Sequence, residues 1–410
     1  MRRIVGDLVD FFPDIEGFEW DQGNSPKNWT RHEWAKPRHG SAVLQILRRR
    51  SPNAARLVPV PRIVATATAV PEHACSQAKA REEMARLGVG NRIVERLLSV
   101  FDHAGVKTRY FVHPPEWYTQ PRSFEERNGE YLSHGLDLAT RAASDCLANA
   151  GVSPDQVDHI FFVTTTGLAT PSLDALLTVR LGLRADVRRW PLFGLGCAGG
   201  AGALIRASDV LSAAPRQRAL IVSLELCSLV FSPGARTPTD VVGAALFGDG
   251  AAAVLMSGDE LADDDAGPRI LATRSHLFKA APNLMGWNFT SDGMRLVLSG
   301  TVPAFVAEQV TPVVERFLSD SGVARSDLTH YVLHPGGPKV MAAYRSALGV
   351  TDDELWIARE TMEQYGNLSS AAVLFMLHKL QTSGRAHPGE GGLLVALGPG
   401  FATEMLVLSW

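Results

Sequence analysis

The chain has 410 residues, 46% of them hydrophobic and 20% charged, with a formal net charge of −3. That length buries a large core, as one domain or two intimately packed halves, and the absence of a basic surplus argues against nucleic acid as a partner. No apolar run reaches the roughly 20 residues of a membrane-spanning helix, and the first 20 residues mix five acids into their apolar positions, unlike a secretory signal, so a cytoplasmic chain with no membrane insertion is expected.

Residues 1–58 carry Trp20, Trp29 and Trp34, scattered prolines and glycines and the run RRRS, without a helical or strand period. They read as an extension, either loosely docked or a partner or lid segment built on those tryptophans. From VPVPRIVATATAVPEH onward the texture changes. Buried strands are predicted at 159–167, 218–228, 250–258, 329–337 and 391–400, each ending at Gly, Pro or a polar turn. Helices are predicted at 135–151 and 301–322, where apolar residues recur three and four apart and the pattern stops at glycine. The alternation predicts an α/β architecture with helices over a sheet. SGVARSDLTHYVLHPGG parallels the earlier AGVSPDQVDHIFFVTTTG, which suggests a duplicated half-fold whose strand ends meet at one site.

The four cysteines, Cys75, Cys146, Cys197 and Cys227, show no CxxC or Cys/His metal spacing, and a chain of this size needs no disulfide staples. Cys197 lies in PLFGLGCAGGAGALI, among five glycines and three alanines, between a strand pattern and a helix pattern. A thiol at a helix N-terminus has its thiolate favoured by unpaired N–H groups, and small neighbours permit a tight turn and leave room for a substrate. An inert buried cysteine fits the same segment. His334 closes the strand HYVLHPGG, and Asn367 precedes an apolar helix pattern in EQYGNLSSAAVLFMLHKL. Singly, these read as a turn histidine and a helix cap. Together with the thiol they suggest a nucleophile with two hydrogen-bond donors for an oxyanion.

Five motifs, GCAGG, LFGDGAAAV, HPGGP, YGNLSSA and the terminal GPG, occur in that order, and with them residues 60–410 resemble the type III polyketide synthases, the chalcone-synthase-like family with the thiolase fold. The resemblance implies two duplicated βαβαβ-type halves, 59–270 with the cysteine and 271–410 with histidine and asparagine, with stacked mixed sheets between helices. It implies that Cys197 is acylated by an acyl-CoA starter. His334 would hold the thiolate and, with Asn367, stabilise the enolate formed when malonyl-CoA loses carbon dioxide. Phe247 would present an apolar face to the malonyl group. Ser369, Thr165 and Cys227 fall on substrate-lining positions, and Lys107 and Arg109 are candidate contacts for the phosphates of coenzyme A. No cofactor is implied beyond coenzyme A thioesters as substrates, no metal site, and a homodimer as the assembly.

Several positions depart from the plant members. Leu296 stands where a gating phenylalanine is found, Trp287 where a glycine sets cavity length, Thr170 where a methionine reaches the partner's cavity, and Leu397 where a phenylalanine precedes the Gly-Pro-Gly turn. An aliphatic entry favours a fatty acyl starter closed to an alkylpyrone or alkylresorcinol; a malonyl starter giving tetrahydroxynaphthalene is the alternative. A ketoacyl synthase III-like enzyme and, from another class, a Cys-His-Asn hydrolase remain as rival readings. Hydroxymethylglutaryl-CoA synthase would want a glutamate base, and Glu225 and Glu404 lie in strand patterns expected to be far from the site.

Overall fold

The computed structural model describes residues 59–231, 237–261, 267–291 and 293–410. The reading of Trp20, Trp29 and Trp34 lies outside them.

The first half supplies β1 (Arg62–Ala69), a two-stranded ribbon of β2 (His73–Ser76) and β3 (Thr108–Phe111), then β4 (His159–Thr164), β5 (Arg188–Phe193), β6 (Arg218–Leu226) and β7 (Asp249–Ser257). The second repeats the series with β8 (Arg269–Leu277), a ribbon of β9 (Met285–Thr290) and β10 (Gly293–Leu298), then β11 (Leu328–Leu333), β12 (Gly391–Gly398) and β13 (Ala402–Ser409). One mixed ladder runs β5-β4-β6-β7-β1-β8-β13-β12-β11. It mirrors itself about β1 and β8, which meet only at Arg62 opposite Arg269. β4 lies parallel to β6 as β11 does to β12, and the β6–β7 and β7–β1 pairs are antiparallel, as are β12–β13 and β13–β8. The two parallel sequence segments thus end in topologically equivalent strands. Only β5 has no counterpart.

Among the described residues, nine helices of nine residues or more set the layers: α1 (Gln77–Leu87), α2 (Phe124–Ala150), α3 (Leu173–Leu181), α4 (Gly199–Ala213), α5 (Pro238–Leu246), α6 (Thr311–Asp320), α7 (Pro338–Leu348), α8 (Trp356–Tyr365) and α9 (Ala372–Thr382). α4 and α9 are apolar nearly all round, and a helix of that kind must be covered on every side. They form the middle layer, with Ala203, Leu204, Leu374 and Leu377 packed against Phe161 and Val163 of one half-sheet and Val332 and Leu394 of the other. The alternate residues of the same strands face outward: Ile160 and Phe162 meet Leu138 and Ala142 of α2, and Leu333 and Val395 pack in the cluster that holds Val314 of α6 and Tyr344 of α7. The two half-sheets therefore stack on a shared helical layer, and strands covered on both faces carry continuous apolar runs rather than alternation.

Two predicted helices differ in extent. α2 begins at Phe124, eleven residues before the predicted start, because Ser123 and Glu126 form a reciprocal capping box in a polar stretch without apolar period. The helix predicted over 301–322 contains a wide π-type turn, Val306–Val310, just before Pro312. Proline supplies no N–H to the α-helical ladder, and the wider turn absorbs that interruption.

Candidate active site

Cys197 sits in a single 3-10 turn, Gly196–Ala198, between β5 and α4. The glycines around it have a reason other than open space. Gly196 has φ 49°, and a Cβ there would lie 2.4 Å from Pro399 Cδ; a Cβ on Gly200 would lie 2.2 Å from the Ser370 carbonyl oxygen. At Gly196 and Gly200 the missing side chains let two other backbone segments press against the cysteine turn, while Gly194 faces the open cleft beside it. Gly200→Ala is expected to leave the fold intact by circular dichroism. It should lower condensation on the order of a hundredfold, the scale of a misplacement of about 1 Å at a reacting centre, in a steady-state product assay.

The segment pressed there carries the next groups. Cys197 Sγ lies 3.6 Å from Ser369 Oγ, and the Ser369 N–H donates to Asn367 Oδ1 at 2.8 Å. Ser369 is held at φ 50°, a strained backbone for a residue other than glycine. With its oxygen committed, Asn367 keeps its amide N–H groups as donors. Asn367 also pairs with Phe247: its N–H donates to Leu246 O at 2.8 Å, and its carbonyl accepts from Gly248 N–H at 3.1 Å. His334 caps β11, its N–H bonded to Val395 O at 2.8 Å, and the following Gly337 approaches Leu246. Its side chain is buried, and among the described residues Nδ1 has no hydrogen-bond partner. A buried polar atom left unpaired costs about 1–3 kcal/mol, so packing alone does not account for a histidine there.

Burial pushes the Cys197 thiol up to about 12, only partly opposed by its contact with Ser369, and pulls the His334 imidazole down to about 4. Burial therefore opposes the thiolate that a helix N-terminus favours. In this dry setting each group alone prefers neutrality.

Phe247, Cys227, Leu296 and Trp287 line one cleft of about 1030 Å³, counting its open mouth, with Met84 and Leu87 among its apolar walls. Trp287 and Leu296 face each other directly across the β9–β10 ribbon. Thr165 lies instead on a neighbouring cleft of about 950 Å³, walled by Pro399 and Gly400, and Trp287 lines both. Leu397 is buried in the core of the second half and lines neither of these clefts, while Thr170 is exposed.

The phosphate-contact reading of Arg109 is corrected. The side chain is completely buried, and its guanidinium donates to Gln77 Oε1, Ala244 O, Ala245 O and Phe247 O. It closes the C-terminal turn of α5, where orphan carbonyls and the helix dipole favour a cation. Arg109 is therefore a positioning residue for Phe247. Lys107 is exposed and pairs with Glu363 at 2.8 Å, away from the lining of both clefts.

Two buried carboxylates were missed from sequence. Glu225, expected far from the site, accepts from Thr165 N–H and Oγ1, Thr166 Oγ1 and Ser370 Oγ, and its charge reaches Cys197. Asp249 accepts from Val112 N–H, Ser228 N–H and Ser228 Oγ, and burial pushes it up to about 7. A lone acid in the apolar strand RALIVSLEL was the available signal for the first.

Residues 49–260 match a family model for the N-terminal domain of chalcone and stilbene synthases, and residues 271–409 match the C-terminal domain model. The chain is 40% identical over 353 residues to the 1,3,6,8-tetrahydroxynaphthalene synthase of Streptomyces peucetius, covering 85% of this chain and 93% of that protein. It is 32% identical over 321 residues to the 3,5-dihydroxyphenylacetyl-CoA synthase of Amycolatopsis orientalis, covering 77% and 86%. The crystal structure of the Streptomyces coelicolor tetrahydroxynaphthalene synthase, a bacterial type III polyketide synthase, superposes with a TM-score of 0.81 at 30% identity, covering 85% of this chain and 99% of that one.

Proposed function

Because the chain belongs to the chalcone and stilbene synthase family and is a type III polyketide synthase with the thiolase-like fold, we propose that Cys197, His334 and Asn367 carry its condensation and that an aliphatic acyl-CoA is its starter. The observation that carries this reading is the unbroken contact from Cys197 through Ser369 and Asn367 to Phe247, which itself lines an apolar cleft.

Cys197 Sγ attacks the starter thioester, its proton passes through His334 to the departing coenzyme A sulfur, and the acyl chain is held on the enzyme. Malonyl-CoA then binds with its thioester oxygen facing the Asn367 amide and the His334 imidazole. The bond to its carboxylate breaks, carbon dioxide leaves, and those donors stabilise the enolate oxygen. The enolate carbon attacks the Cys197 thioester and the C–S bond breaks. The lengthened chain leaves on coenzyme A to be reloaded or cyclised. Phe247 offers the malonyl carboxylate no hydrogen bond, which favours its conversion to an uncharged gas. No resident cofactor enters this scheme.

The wall formed by Met84, Leu87, Phe247 and Leu296 supports an aliphatic starter, because its burial there gains roughly 25 cal/mol per Å² of apolar surface. The tetrahydroxynaphthalene synthases among the relatives support the second reading, a chain primed by malonyl-CoA itself. Incubation of malonyl-CoA with acetyl-, hexanoyl- and palmitoyl-CoA, followed by mass spectrometry, separates them. Alkylpyrones or alkylresorcinols that retain the starter's chain are expected; tetrahydroxynaphthalene from malonyl-CoA alone would replace the first reading with the second.

A homodimer fits the same reading. β5 is an edge strand, and Trp190 and Phe193 on it and Leu176 and Val179 on α3 are exposed. Unpaired edges and exposed apolar side chains of this kind are suited to a second copy of the chain. Among the described residues no helix is long and apolar enough to cross a membrane.

A further inference from the structure

Beside the cleft, three side chains converge that the condensation chemistry does not use. His113 Nε2 lies 3.0 Å from Glu130 Oε2, and His134 Nε2 lies 3.1 Å from the same oxygen. Glu130 and His134 are four apart on α2 and share a face, while His113 comes from the loop after β3. One ligand atom from each of the three falls within 4.8 Å of the others.

We propose that His113, Glu130 and His134 form a binding site for a borderline divalent cation, Zn²⁺ before others, with solvent as the fourth ligand. Two imidazole nitrogens and one carboxylate oxygen make a donor set suited to Zn²⁺ over Mg²⁺ or Ca²⁺, which favour oxygen alone. Tetrahedral bonds of 2.0–2.1 Å separate ligand atoms by about 3.3 Å, close to the two spacings found here. An ion that takes the Nε2 lone pairs leaves each ring's proton on Nδ1, so each ring stays neutral.

The first ligand is held in place. The His113 ring stacks on Trp117 with centroids 4.3 Å apart and planes 14° apart, and Trp117 carries the Arg122 guanidinium 4.2 Å from its ring centroid on the indole. The His113 N–H donates to the Tyr118 hydroxyl at 3.2 Å. The other two ligands are partly exposed, which gives an ion a route in. The same loop supplies Pro115, Tyr118 and Thr119 to the cleft wall, so an ion here ties that wall to α2.

The test strips the full chain with a chelator and measures Zn²⁺ uptake by equilibrium dialysis and by competition with a chromophoric chelator. One ion per chain at low-micromolar affinity or tighter is expected. His134→Ala and Glu130→Gln should each weaken binding at least tenfold while leaving the circular dichroism spectrum unchanged. His134 projects from an exposed helix face, so its variant avoids the disturbance that His113→Ala would bring to the Trp117 stack. Cys197→Ala should bind Zn²⁺ as the parent chain does. Failure of the parent chain to bind, unchanged affinity in both ligand variants, or loss of binding in Cys197→Ala would each overturn the proposal.

Discussion

Replacement of Cys197 by alanine is expected to abolish the acyl-enzyme and to lower product formation by a factor on the order of 10⁴ or more, the scale seen when a nucleophile is removed from a catalytic unit. Intact-mass spectrometry after incubation with starter acyl-CoA should show the parent chain heavier by one acyl group and the variant unchanged. Release of carbon dioxide from malonyl-CoA should fall much less, because the enolate donors proposed on Asn367 and His334 are untouched. An acylated alanine variant, or a variant that makes product at the parent rate, would remove Cys197 from the mechanism. Loss of carbon dioxide release together with product would instead mean that the thiol shapes the malonyl site as well.

The second large effect lies away from the thiol. Arg109→Met strips its donors from Ala244 O, Ala245 O and Phe247 O, leaving Ala245 O its bond from Gln77, and removes the cation whose charge acts on Asp249. Breaking a buried charged network by deleting one partner costs about 3–5 kcal/mol, so the melting midpoint should fall by roughly 5 °C in differential scanning calorimetry. Asp249 adds a pH signature. Its pKa in the fold is raised to about 7, so its contribution to stability is complete below the unfolded value near 4 and is lost as pH rises through 7. Arg109 opposes that rise, and without it the loss should extend above pH 7. Arg109→Lys restores charge but not the planar fork and should fall between the two. A variant as stable as the parent would leave α5 and Phe247 without the anchor assigned to them.

The sequence carried much of this architecture because its strands are covered on both faces and so stand out as apolar runs bounded by glycine and proline. The repeated Gly-Val exit and strand at 151–167 and 322–337 marked β4 and β11, the pair that the ladder makes equivalent. The site was legible as residue types at element ends: Cys197 between β5 and α4, His334 after β11, Asn367 before α9. Their mutual contacts were not, since those run through Ser369 and the Phe247–Asn367 backbone pair, between segments about 120 to 170 residues apart in sequence. Arg109 was misread because a basic residue in a short strand carries no mark of burial. Glu225 was passed over although a carboxylate inside an apolar strand is costly unless every lone pair is met, as Thr165, Thr166 and Ser370 meet it here.

The pairing of Phe247 with Asn367 joins the two halves, and it also sets an order in time. During synthesis Cys197 and its turn emerge long before residues 366–371. Until those residues arrive, the Gly200 backbone has no Ser370 to close against, and the thiol has neither the Ser369 hydroxyl nor the Asn367 segment behind it. Domains of nascent chains tend to fold as they emerge. The reactive centre therefore matures only when roughly the last tenth of the chain is being made, and a ribosome-bound chain that stops short of Asn367 would carry a cysteine that is chemically quiet.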